Sequence, residues 1–148
     1  MAVVGAHKIE ALFKKAATLQ ISKEKVKEIS DVIDQKFHDL LLIGEANAKY
    51  NGRDVIWYSD LPLTKAFRES MQKFQALEEE LALQDVLDHI KTLPPMYTLE
   101  AELEGKLTEI VGTLIYILAN IAKEFSSDDN VVSEDELKSA IRILNLTI

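Results

Sequence analysis

Apolar side chains recur at three- and four-residue intervals over most of this chain. That rhythm marks helices with one buried face. Ile9, Leu12, Phe13, Ala16 and Leu19 predict a short amphipathic helix over about residues 8–18. Ser22 is an N-cap residue type. After it, Val26, Ile29, Ile33, Phe37, Leu40, Leu41, Gly44 and Ala48 keep the rhythm for about 28 residues, far beyond the mean helix length of about 11–12. Gly44 is expected to let another helix approach closely. Asn51-Gly52 then stops the helix, because both residues tolerate the left-handed conformation. Val55-Ile56-Trp57-Tyr58 is β-branched and aromatic and predicts a brief extended run. Ser59 and Asp60 suit the start of a third helix. Its apolar face would be Leu61, Leu63, Ala66, Phe67, Met71 and Phe74, with Pro62 in its first turn.

The second half repeats the order. The Glu78-Glu79-Glu80 run reads as a solvated helix face. Leu83, Val86, Leu87 and Ile90 predict a short helix stopped by Pro94-Pro95. Thr98 suits the cap of a second long helix, whose core face runs from Leu99 through Leu103, Leu107, Ile110, Val111, Leu114, Ile117, Leu118 and Ile121 to about Phe125. A polar loop follows, then an extended Val131-Val132 pair. Ser133 with Glu136 three residues on is a capping box for a last helix through Leu144. An ungapped shift of 74 residues superposes Ile29, Ile33, Phe37 and Leu40 on Leu103, Leu107, Val111 and Leu114, and Ser59 on Ser133. This predicts an internal duplication: one compact domain over 1–148, with a first repeat at 1–74 and a more divergent second at 75–148.

Composition narrows the classes. With 148 residues, 47% hydrophobic, the chain can bury a core. Only five Gly and three Pro occur, consistent with an all-α fold. There is no Cys, which excludes disulfides, thiol chemistry and Cys-based zinc sites. No signal-peptide pattern is present, and Ile110–Ala122 falls short of a membrane span of about 20 residues. A cytoplasmic protein is expected. The net charge of −8 disfavours tight non-specific binding to nucleic acid. The charge is uneven, however: residues 1–74 carry 12 Lys+Arg against 10 Asp+Glu, and residues 75–148 carry 5 against 15.

Short, long and short helices with an extended loop before the third resemble the histone fold. Ala48-Lys49, Gly52-Arg53, Ile56 and Asp60-Leu61 are similar to the second loop of archaeal histones, and Ala11 to Ser22, with Lys14-Lys15, to their first helix and loop. The Asn-Ala-Lys-Tyr-Asn-Gly-Arg-Asp run and Leu93-Pro94-Pro95 resemble a small uncharacterised bacterial family of double-histone-fold proteins. The resemblance implies two tandem histone folds, each the other's partner, in an intramolecular pseudo-dimer. A covalent link makes that pairing intramolecular.

The same resemblance implies an Arg53–Asp60 salt bridge bracing the second loop. Under the shift these residues fall on Ser127 and Glu134, so the second repeat would lack the brace. It also makes Lys14, Lys15, Lys23, Lys25, Lys27 and Arg53 candidate DNA contacts, each neutralised phosphate adding a salt-sensitive increment. Asp54 and Val55 depart from the histone pattern, and the shift leaves the second repeat almost none of the matching positive charge. Lysines that merely solvate helix ends are an equally weighted reading. Asp34/His38 and Asp85/His89 each place a carboxylate and an imidazole on one helix face, but a metal needs three or four converging ligands. No phosphate-binding Gly loop, triad order or nucleophile elbow occurs. Trp57 and Tyr58 could serve as exposed aromatics at a binding surface, but packing of Trp57 against the third helix is the expectation. The expectation is therefore a non-enzymatic protein without cofactor, metal, small-molecule substrate or membrane. It would touch DNA weakly in a salt-sensitive way and lie with the nucleoid. The alternative is a histone-fold protein-interaction or assembly module, with a protein partner or self-association and no DNA.

Overall fold

The computed structural model describes residues 6–81, 97–126 and 129–148, without the side chains of 6–7 and 78–81. These residues form five α-helices: α1 Ala6–Ala17, α2 Lys23–Tyr50, α3 Lys65–Leu81, α4 Ala101–Phe125 and α5 Glu134–Thr147. The predicted helix at Leu83–Ile90, the Pro94-Pro95 stop and the Asp85/His89 pair lie outside the described residues, as does Ser127.

Helix α4 is the hub and packs against α1, α2, α3 and α5. It is long and apolar enough to cross a membrane, contrary to the shorter apolar run expected. Its apolar residues are nevertheless committed to the interior, for Leu103, Ile110, Val111, Leu114, Ile115, Leu118, Ala119 and Ala122 are fully buried. Phe13, Phe37 and Phe74, from α1, α2 and α3, fill the same core. Each helix thus buries its stripe against its neighbours, and burial of such side chains contributes about 1.5–3 kcal/mol apiece.

Helix α2 ends in a Schellman motif. Gly52 takes φ +75°, its N–H donates to Lys49 O at 2.9 Å, and the Arg53 N–H donates to Ala48 O at 2.9 Å. Inside α2, Gly44 lets the following loop approach, not another helix. A Cβ there would stand 2.8 Å from Leu61 Cδ2 and 3.1 Å from Ile56 Cγ2.

The third helix begins five residues later than the sequence predicts. Tyr58–Asp60 is a separate 3-10 turn. Pro62 lies in the connector, and α3 is capped by Thr64, whose Oγ1 accepts from the Phe67 N–H at 3.1 Å. Thr98 does not cap α4 either. The N-cap is Glu100, without a side-chain cap bond. Ser22 occupies the N-cap of α2, yet its hydroxyl makes no cap bond. At α5 the capping box is complete: Ser133 Oγ accepts from Glu136 N–H at 3.2 Å and Glu136 Oε1 from Ser133 N–H at 2.9 Å.

Two isolated parallel bridges join the loops. The 18–22 loop meets the one after α4 through Gln20 N–H to Asn130 O, 2.9 Å, and Val132 N–H to Gln20 O, 3.0 Å. The loop after α2 meets the segment before α4 through Ile56 N–H to Thr98 O, 2.8 Å, and Glu100 N–H to Ile56 O, 3.0 Å. Val131 stands 75 positions after Ile56, but Leu99 stands 79 after Gln20. These separations stand one and five residues from the 74-residue shift expected from the sequence.

Candidate nucleic-acid interface

The six candidate cations divide between the two ends of α2. From Lys23 to Tyr50 that helix spans about 40 Å at 1.5 Å per residue. Lys14 and Lys15 end α1, and Lys23, Lys25 and Lys27 begin α2, so all five surround the 18–22 loop. Lys25 is half-buried and the other four are exposed. Arg53 lies beyond the far end of α2. The structure thus gathers the lysines and separates Arg53 from them.

The Gln20–Val131 bridge brings more groups to the lysine end. Lys123 Nζ donates to Asn130 Oδ1 at 3.0 Å, beside the carbonyl that holds Gln20. Lys138 of α5 and Lys25 both act on Glu28. Glu28 is pushed above the ordinary carboxyl range, first by burial and then by the charge of Glu134 and a hydrogen bond to its carboxyl. The acidic first turn of α5, Glu134, Asp135 and Glu136, therefore lies against the basic first turns of α2. Lys123 and Lys138 carried no signal in sequence, because only the long-range bridge places them here.

At the other end, Arg53 is a brace. Its Nη1 donates to Asp60 Oδ2 at 2.7 Å and its Nη2 to Asp60 Oδ1 at 2.8 Å. Nη1 also donates to Val55 O at 3.0 Å. The Trp57 N–H donates to Asp60 Oδ2 at 2.7 Å, and Asn47 Nδ2 donates to Asp60 O at 2.8 Å. Asp60 is buried. The Arg53 guanidinium, then the Trp57 N–H, hold its carboxyl below the ordinary range, against the effect of burial. The Asp60 hydrogen bond, with Asp60 and Glu100 as nearby charges, raises the Arg53 pKa. Glu100 is the further carboxylate acting on this guanidinium, and Asp54 follows it in the chain.

Arg53 Cζ lies 3.7 Å from the Trp57 ring centroid, and Trp57 stays 42% exposed. Tyr58 reaches α3, its hydroxyl 3.7 Å from Met71 Sδ, with Arg68 and Lys106 over its ring at 5.6 and 5.1 Å. His38 meets the Tyr97 hydroxyl through Nε2 at 3.2 Å, rings edge to face. Burial, then Glu45 and Asp39, raise the Tyr97 pKa. Among the described residues, no three His, Cys, Asp or Glu side chains converge as metal ligands would.

With this geometry the chain can be compared with known proteins. Residues 9–145 match the family model described as a domain of unknown function, DUF1931. The chain belongs to the DUF1931 family. Two Aquifex aeolicus proteins, both described as uncharacterized, are similar to it. One is 32% identical over 139 residues, covering 85% of this chain and 81% of the relative. The other is 26% identical over 125 residues, covering 84% and 73%. A crystal structure from Thermus thermophilus superposes with a TM-score of 0.87 at 34% identity, covering 99% of both chains. An Aquifex aeolicus protein solved at 1.9 Å shares the fold, with a TM-score of 0.79 at 23% identity over 96% of this chain and 94% of that one. The all-α arrangement thus recurs in solved structures from both organisms.

Proposed function

We propose that this DUF1931 chain is a pair of histone folds fused into an intramolecular pseudo-dimer, and that it is a non-enzymatic architectural protein touching the DNA backbone weakly through its lysine end. The reciprocal loop bridges support the pairing. Each half lends one loop to a parallel bridge with the other, as two interlocked copies would. The observation that carries the DNA contact is the gathering of Lys14, Lys15, Lys23, Lys25 and Lys27 around the 18–22 loop. Cations at a helix N-terminus oppose its dipole, so those of α2 are poor choices for helix stability alone. The uncapped first turn of α2, with Ser22 making no cap bond, leaves N–H groups facing the same surface, where a phosphate oxygen can accept them. Arg53 drops out as a contact, since its charge is matched by Asp60. Residence in the cytoplasm, on the nucleoid, belongs to this reading.

The second reading is an assembly module that keeps the fold without DNA. The carboxylates of Glu24, Glu28, Glu134 and Asp135 among the lysines favour it. Anisotropy titration of a labelled duplex separates the two. With about four phosphates neutralised, affinity should fall roughly a hundredfold between about 50 and 200 mM salt. Reversing Lys14, Lys15 and Lys23 to Glu should remove binding, and Lys65→Glu on α3 should not. Absence of binding at the lower salt overturns the DNA reading.

A further inference from the structure

The outer face of the second half of α2 carries exposed apolar side chains between charged ones. Leu42 is 55% exposed, Ile43 46% and Tyr50 92%, and Ala46 lies exposed between them. Gln35, Asp39, Leu42, Ala46 and Lys49 follow one another at alternating four- and three-residue steps, the spacing of a helix–helix seam.

We propose that this face is a self-association surface for a second copy of the chain, its α2 running antiparallel across a two-fold axis at the level of Gly44. In that register Leu42 lies over Ala46 of the second copy, a large side chain opposite a small one. Asp39 lies beside Lys49 of the second copy. The two-fold repeats both contacts, as an isologous interface requires. Among the described residues these charges have exposed partners within the chain: Gln35 Nε2 donates to Asp39 Oδ1 at 2.9 Å, and Lys49 Nζ is 3.6 Å from Glu45 Oε1. Exposed pairs of this kind contribute about 0–1 kcal/mol, so exchanging them across the interface costs little. One helix seam covers less than the roughly 800 Å² per partner of a standard interface. The dimer is accordingly weak, with a dissociation constant above about 10 µM. It is independent of the DNA contact, which lies at the other end of α2.

Sedimentation equilibrium of the full chain from about 10 µM to 1 mM tests it. A monomer–dimer equilibrium is expected. Leu42→Glu should abolish it while leaving the helical circular dichroism unchanged. Asp39→Lys and Lys49→Asp should each weaken it by about tenfold, and the double swap Asp39→Lys/Lys49→Asp, again self-complementary, should restore it. A strictly monomeric chain over the whole range overturns the proposal and leaves the face to a different protein. So does a double swap no tighter than the singles, or a dimer that survives Leu42→Glu.

Discussion

Helix α4 contains two glycines whose replacement by alanine should have opposite effects on stability. Gly105 is exposed, and nothing lies within 4 Å of a Cβ built on it. Gly112 is buried beneath Phe74 of α3, and a Cβ there would stand 2.5 and 2.6 Å from Phe74 Cε1 and Cε2, with Cζ nearer still. Helix propensity alone favours both changes by about 1 kcal/mol. For Gly105→Ala nothing opposes that gain, so the urea midpoint should rise by an amount equivalent to about 0.5–1 kcal/mol. For Gly112→Ala the methyl overlaps a ring with 0% exposure. The ring is enclosed by core neighbours and cannot swing aside as a surface side chain would. Overpacking of this kind costs about 1–3 kcal/mol. With overlap against three ring atoms we take the upper end, leaving a net loss of about 2 kcal/mol after the propensity gain. Equilibrium urea unfolding followed by helical circular dichroism measures both, provided the m-value holds. Phe74→Leu in the Gly112→Ala background should recover part of the loss, a coupling within the roughly 0.5–3 kcal/mol seen for touching residues. A stabilised Gly112→Ala variant, or no coupling to Phe74→Leu, would refute this packing of α3 on α4.

Ser133→Ala should destabilise the protein by about 1 kcal/mol, because its hydroxyl completes the α5 capping box. Ser22→Ala should shift the unfolding midpoint by less than half as much, since Ser22 makes no cap bond. Asp60→Asn should reduce stability at pH 7 and flatten its dependence on acid. The folded-state pKa of Asp60 is lowered, so the stability it contributes is complete above the ordinary carboxyl range and is lost as pH falls through the lowered value. Glu28 has the opposite sign. Its folded-state pKa is raised, so it penalises the fold above that value and the penalty fades as pH falls toward the unfolded value. Glu28→Gln should therefore stabilise the protein at pH 7 and not below the carboxyl range, as thermal unfolding across pH would measure.

The helices were legible because each stripe is a local property of the chain. Ile29, Ile33 and Phe37, or Leu107, Val111 and Leu114, declare their faces without reference to anything distant. Gly52 was legible for the same reason, since its left-handed turn is set by the few residues on either side. What the sequence misjudged was decided across the fold. Asp60 looked like the first residue of a helix and is instead the acceptor for Arg53 and the Trp57 N–H. Those bonds hold it in a 3-10 turn and delay α3 to Lys65. Trp57 is the platform for the same arginine, a contact set by the bent loop and not by local periodicity.

The arginine brace and the lysine end answer different physical demands, and their separation explains how the charges are arranged. A loop that must present backbone N–H and C=O groups to the segment before α4 has to hold its own shape first. The bidentate Arg53–Asp60 pair does this by tying residue 53 to residue 60 with two short bonds and taking the Trp57 N–H as a third. A guanidinium bound that way adds little attraction for a distant phosphate, because its carboxylate partner travels with it. Lys14, Lys23 and Lys27 stand exposed on either side of the Gln20 bridge, where rigidity comes from the backbone and the side chains are not needed to brace it. Positive charge can accumulate at that end without weakening the fold only if carboxylates from the other half balance it at short range. The first turn of α5 supplies them, Glu134 already raising the pKa of Glu28. The same balance that lets the fold tolerate its lysines limits the field they project, so any anion bound there is held weakly and released by salt.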